Sequence, residues 1–97
     1  MLQILPEAPN PFTIPQYSNY SLYCKANGVP TPEVYWMHSN SGKIARIISA
    51  GMGAHELILP KLRLQDTGTY MCLAINKHGE LRKNLTIIVA GISYFYT

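Results

Sequence analysis

The chain has few charges, few cysteines and no long apolar run. Of 97 residues only 13% are charged against 47% hydrophobic, and eight Lys and Arg against five Asp and Glu leave a net charge of +3. So much apolar side chain with so little charge is outside the composition of disordered chains. The basic residues are scattered, Arg82-Lys83 being the longest run, so the one-sided basic footprint of a nucleic-acid binder is missing and no nucleic-acid partner is expected. The longest apolar stretch, Ile87–Ile92, is far below the roughly 18 residues of a membrane span, and no membrane contact by this domain is expected. Residues 1–15 lack a basic segment followed by an apolar core, so they do not read as a secretory signal. Two cysteines permit one disulfide. The length suits one small domain, for which a covalent staple matters because so little surface is buried.

Catalytic and metal-binding patterns are equally scarce. His38, His55 and His78 are 17 and 23 residues apart and share no ligand spacing. Asp66 is the single aspartate, and Glu7, Glu33, Glu56 and Glu80 fall at separate ends or loops, so neither a hydrolytic triad nor a carboxylate pair is suggested. There is no glycine-rich phosphate loop. The expectation is a non-enzyme with no metal and no cofactor.

What the chain does hold is strand signal. Tyr20–Ala26 alternates, with Leu22, Cys24 and Ala26 on one side and Ser21, Tyr23 and Lys25 on the other. Pro30 and Pro32 interrupt it, then Val34–Met37 reads as the next strand. Ser39–Gly42 is a turn by composition, Ile44–Ser49 a short apolar strand, Ala50–Ala54 a break, and His55–Leu62 a further strand. Gln65–Gly68 is a turn, Thr69–Asn76 a strand, Lys77–Glu80 a hairpin loop and Leu81–Val89 the last strand. Pro6, Pro9, Pro11 and Pro15 confine residues 2–15 to edge strands and kinks. Short strands about every ten residues, without a helical period, indicate an all-β sandwich or barrel.

Cys24, Trp36 twelve residues later, and Asp66-Thr-Gly-Thr-Tyr-Met-Cys72 together resemble the immunoglobulin superfamily. Leu57, Leu59, Leu62, Gly68, Ala74, Asn76 and Gly79 fall where that family's E–F–G pattern has them, and Gly28, Pro30, Pro32 and Val34 match its B–C region. Only twenty positions separate Trp36 from Leu57, too few for the two extra strands of a variable-type domain, so the resemblance is to the intermediate, I-set type. One departure is Gln16–Asn19, which stands where the family usually has a Glu-Gly pair. The resemblance implies a two-sheet antiparallel Greek-key sandwich over residues 1–91, with 92–97, including Tyr94-Phe95-Tyr96, as a tail or linker. It implies a Cys24–Cys72 disulfide packed on Trp36, worth roughly 4 kcal/mol for a loop of about 49 residues. Tyr70 takes the corner hydrogen bond, and Asp66 accepts backbone N–H groups or pairs with a cation such as Arg46.

The family's setting is a binding or adhesion module in the ectodomain of a cell-surface receptor or adhesion protein, receptor tyrosine kinases included, beside other domains of one chain. The alternative is a structural domain of an intracellular, muscle-type multi-domain protein. Asn19-Tyr-Ser21 and Asn84-Leu-Thr86 are candidate glycosylation sequons for a secreted chain, and both asparagines are outward by strand parity. With Trp36, Tyr70, Cys72 and Leu85 inward, parity turns Tyr35, Met37, Met71, Leu73, Ile75 and Ile88 outward on one sheet. A shared apolar face of that kind marks an interaction surface, here a candidate for a homophilic or heterophilic protein partner. The Lys77–Glu80 loop is a second candidate.

Overall fold

A computed structural model describes residues 2–40 and 45–91 as two packed antiparallel-rich sheets with no α-helix among these residues. The strands in chain order are β1 (Leu2–Leu5), β2 (Phe12–Pro15), β3 (Tyr20–Ala26), β4 (Glu33–Ser39), β5 (Arg46–Met52), β6 (Ala54–Leu59), β7 (Gly68–Asn76) and β8 (Gly79–Ala90), with one 3-10 turn at Leu64–Asp66. The smaller sheet has the order β1-β3-β6 and the larger β2-β8-β7-β4-β5. Pairing is antiparallel throughout except that β2 runs parallel to β8. Residues between β1 and β2 therefore carry the chain from one sheet to the other, through a stretch holding Pro6, Pro9 and Pro11. Prolines cannot donate to a ladder. Both proline-flanked strands are sheet edges, as their composition predicts.

The core follows the period-2 pattern of each strand. Leu22, Cys24 and Ala26 of β3, Val34 and Trp36 of β4, Leu57 of β6, Tyr70, Cys72 and Ala74 of β7, and Leu85, Ile87 and Val89 of β8 are all buried. No polar or charged residue is buried as a whole among the described residues, and three polar side-chain atoms reach the interior: the Tyr70 hydroxyl, the Trp36 indole N–H and His38 Nε2. The first two have partners and the third has none, as described below.

Several boundaries differ from the sequence reading: β4 runs on through Ser39, which was expected in a turn, and β7 begins at Gly68. The break expected over Ala50–Ala54 shrinks to Gly53, because Gly51 and Met52 continue β5 opposite Val34 and Glu33. Gly53 has φ +70, and its backbone is held on both sides: its N–H donates to Pro32 O at 2.9 Å and its carbonyl accepts from Ala26 N at 2.8 Å. The strand expected to reach Leu62 ends at Leu59, before Pro60. Leu62 is still buried, fixed by Leu62 N to Ser18 O at 2.9 Å and Tyr17 N to Leu62 O at 2.7 Å. The four-residue hairpin loop tightens to Lys77-His78, with Asn76 paired to Gly79 and the Asn76 side chain accepting from His78 N at 2.9 Å. The start of the expected Ile44–Ser49 strand and the end of the Ser39–Gly42 turn lie outside the described residues, as does the tail from residue 92.

Candidate functional site

Two places hold the residues singled out above: the centre of the sandwich and the outer face of its larger sheet. At the centre, Cys24 of β3 and Cys72 of β7 form a disulfide joining the two sheets, with Cα atoms 6.3 Å apart. Trp36 is the direct register partner of Cys72 on the adjacent strand, and all three are fully buried. The indole N–H donates to the His55 carbonyl at 3.1 Å, so burial leaves no unpaired donor.

At the base of β7, Tyr70 Oη donates to the Asp66 carbonyl at 2.5 Å. Burial first, and the Asp66 charge second, push the Tyr70 phenol up to about 12, since both disfavour a phenolate. The Asp66 carboxylate accepts from Arg63 N at 2.8 Å. Of the two roles open to it in the sequence, the structure thus supplies the backbone one. His38 lies against Tyr70, its ring stacked at 4.4 Å with planes 17° apart. Its Nε2 is buried without a hydrogen-bond partner, beside Gly68, where a Cβ would strike that nitrogen and the Ser39 carbonyl. These contacts are structural: a phenol held neutral, an aspartate capping a turn and a stacked imidazole.

Among the described residues no three His, Cys, Asp or Glu side chains come together as metal ligands would. The three histidines fall on β4, on β6 and in the β7–β8 turn. His55 bonds the Ser49 hydroxyl, and a Cβ on Gly51 would collide with the His55 ring. The open cleft beside the β7–β8 turn, about 250 Å³, is lined by Ala26, Pro32, Asn76, His78 and Glu80 among others, without a nucleophile–base pair.

The outer face is ordered by register. Three rows cross it from β8 to β5: Asn84–Met71–Met37–Ile47, Arg82–Leu73–Tyr35–Ala50, and Glu80–Ile75–Glu33–Met52. Met37, Met71, Leu73, Tyr35 and Ile75 are half-buried by their neighbours, whereas Ile47 and Met52 are each 58% exposed. The β8 side is polar, with Glu80 and Arg82 bridged at 2.7 Å, an exposed pair that contributes little to stability. Tyr35 Oη bonds the Glu33 carboxylate, and that bond, followed by desolvation and the Glu33 charge, raises its phenol above the ordinary range.

The apolar surface is therefore centred on β4, β5 and β7. Ile88, placed on it by parity, is exposed and on the correct side, but it pairs with Thr13 and lies beyond Thr86 and Thr69 from Met71. It is not contiguous with the other five. Ile47 and Met52 join them instead. The signal for Ile47 was present in the apolar Ile44–Ser49 run, but without knowing which sheet receives that strand, its outward side cannot be read; Met52 fell in the segment read as a break. Both sequon asparagines are exposed, Asn19 before β3 and Asn84 in β8. Asn19 Oδ1 accepts from Lys61 N at 2.9 Å, tying the β2–β3 turn to the segment after β6.

The sandwich, its inter-sheet disulfide and the buried tryptophan agree with the immunoglobulin-domain family model, which matches residues 4–76. The chain is an immunoglobulin domain. Rat palladin is 33% identical over 91 residues, covering 88% of the chain and 15% of palladin. Mouse hemicentin-1 is 35% identical over 86 residues, covering 87% of the chain and 2% of the relative. Human vascular endothelial growth factor receptor 1 is 34% identical over 83 residues, covering 84% and 6%. The domain thus spans between 2% and 15% of the length of these three relatives. It is a non-catalytic module of a family that works through protein–protein contact.

Proposed function

We propose that this immunoglobulin domain is a protein-binding or adhesion module from the ectodomain of a cell-surface receptor or adhesion protein, a receptor tyrosine kinase being one such setting. The observation that carries the binding role is the outer β4-β5-β7 face. Tyr35, Met37, Met71, Leu73 and Ile75 form its half-buried floor, and Ile47 and Met52 stand exposed at its edge. Contiguous apolar surface of this kind is uncommon on a domain with no partner. Its partner is a protein, homophilic or heterophilic. Neighbouring domains of the same polypeptide hold this one in place, with residues 1–91 as the I-set unit and 92–97 as tail or linker.

The extracellular setting is supported by the closed Cys24–Cys72 disulfide, which persists in oxidising compartments, by the two exposed sequons, and by the likeness to a growth factor receptor. The second reading, a structural domain of an intracellular muscle-type protein, draws on the likeness to palladin. Intact mass of the protein taken from its own cells, with and without reductant, separates them. An increase of two hydrogens on reduction, with sugar on Asn19 or Asn84, supports the ectodomain. Free thiols and no sugar would overturn it.

A further inference from the structure

Asn84 stands at the head of one apolar row. Its register partner is Met71, whose partner on the other side is Met37, whose partner in turn is Ile47. With strands about 4.8 Å apart, the row runs roughly 14 Å across the sheet, about the reach of the first sugars of a glycan. The sequon is also held for presentation. Asn10, just before β2, grips the main chain of both its ends: its Oδ1 accepts from Thr86 N at 3.0 Å and its Nδ2 donates to the Asn84 carbonyl at 3.3 Å. That clamp fixes β8 where the β2 ladder has not yet begun. The Asn84 carboxamide is left exposed and, among the described residues, makes no hydrogen bond of its own. Asn19 differs, since its carboxamide is engaged with Lys61 and the strand that follows it, β3, belongs to the other sheet.

We propose that Asn84 is an N-glycan acceptor whose first sugars lie along the Met71–Met37–Ile47 row, so that occupancy of this one site covers or bares the apolar face. The inference rests on the secreted-chain reading above. In the modification, Nδ2 of Asn84 bonds to the anomeric carbon of a lipid-linked oligosaccharide. The bond from that carbon to the donor's diphosphate breaks, the diphosphate leaves with the electron pair, and one amide proton passes to base. The C–H faces and acetyl methyl groups of N-acetylglucosamine then meet methionine and isoleucine side chains that otherwise face water, and removing that apolar area from solvent is favourable. A bare site leaves the same surface to a protein.

The test is secretion of the chain from glycosylating cells as wild type, Asn84→Gln and Thr86→Ala, followed by intact mass before and after enzymatic deglycosylation. Brief hydrogen peroxide treatment then compares oxidation of Met71 and Met37 with that of Met52, two rows away. The expected result is sugar on Asn84, lost in both variants, with Met71 and Met37 oxidised several-fold more slowly in the wild type than in Asn84→Gln and Met52 unchanged. An unoccupied Asn84, or an occupied one with Met71 oxidised as fast as in Asn84→Gln, overturns the proposal. Free thiols in protein from its native cells would overturn the ectodomain reading and the proposal with it, whereas an unoccupied or unprotective Asn84 on a disulfide-bonded chain overturns the proposal alone.

Discussion

Replacing both Cys24 and Cys72 with alanine removes the disulfide cross-link between the sheets. The bridge spans 48 positions, so the unfolded chain regains the freedom of a loop of about 49 residues, about 4 kcal/mol in the chain-entropy model. Both cysteines are fully buried in contact with the core, and deleting two sulfurs adds a packing loss of roughly 1 kcal/mol each by comparison with buried methylenes. The sum, about 6 kcal/mol, is of the order of the whole stability of a domain this size. Urea unfolding followed by fluorescence of Trp36, the one tryptophan, measures it. With a slope of about 1.5 kcal/mol/M, the midpoint should fall by about 4 M, or the variant should be unfolded in buffer. A fall of less than about 1 M would refute the reasoning, because the apolar core alone would then be holding the sheets together.

Other expectations are smaller and local. The Tyr70 phenol is held protonated in the fold up to about 12, against about 10 when unfolded. Stability from this group is therefore complete below pH 10 and declines as pH rises from 10 to 12. Tyr70→Phe, which removes the bond to Asp66, should be less stable at pH 7 and show a shallower loss over that window; an unchanged slope on denaturant titration would count against the assignment. Gly68 has φ +151, and a Cβ there meets the Ser39 carbonyl and His38, so Gly68→Ala should destabilise by about 2 kcal/mol or more. For a small domain that is a fall in Tm of about 10 °C, readable by calorimetry; an unaltered Tm would show that the β4–β7 contact yields easily.

Much of the sandwich was legible because its residues carry local physical signatures. Alternation in Tyr20–Ala26 and Thr69–Asn76 fixes which side chains are inward, and parity alone turned Met71, Leu73 and Tyr35 to the correct face. Prolines at 6, 9, 11 and 15 marked edge strands, since a missing N–H is tolerated only there. What could not be read was long-range. Whether the strand after residue 45 joins β4 or β6 depends on pairing energies between distant segments, so Ile47 was missed, and Met52 was missed because the two glycines beside it made its segment read as a break. Parity likewise records a side of the sheet and not a position along it, which is why Ile88 was grouped with residues it does not reach. The Asn10 clamp on residues 84 and 86 joins side chain to backbone across more than seventy positions, and no local pattern announces it.

The central claim is that the outer β4-β5-β7 face binds a protein. Beads coated with the disulfide-bonded chain freed of glycan, mixed with beads carrying the same chain and separately with cells, report homophilic and heterophilic adhesion. The variant pair is Met71→Lys with Leu73→Lys, and the control is Ile58→Lys, an equally apolar-to-charged change at a residue 65% exposed on the other sheet. The prediction is adhesion in at least one arm, abolished by the double substitution and retained by the control, with both variants still folded. Adhesion that survives charges at Met71 and Leu73, or its absence from both arms in the wild type, would contradict the account.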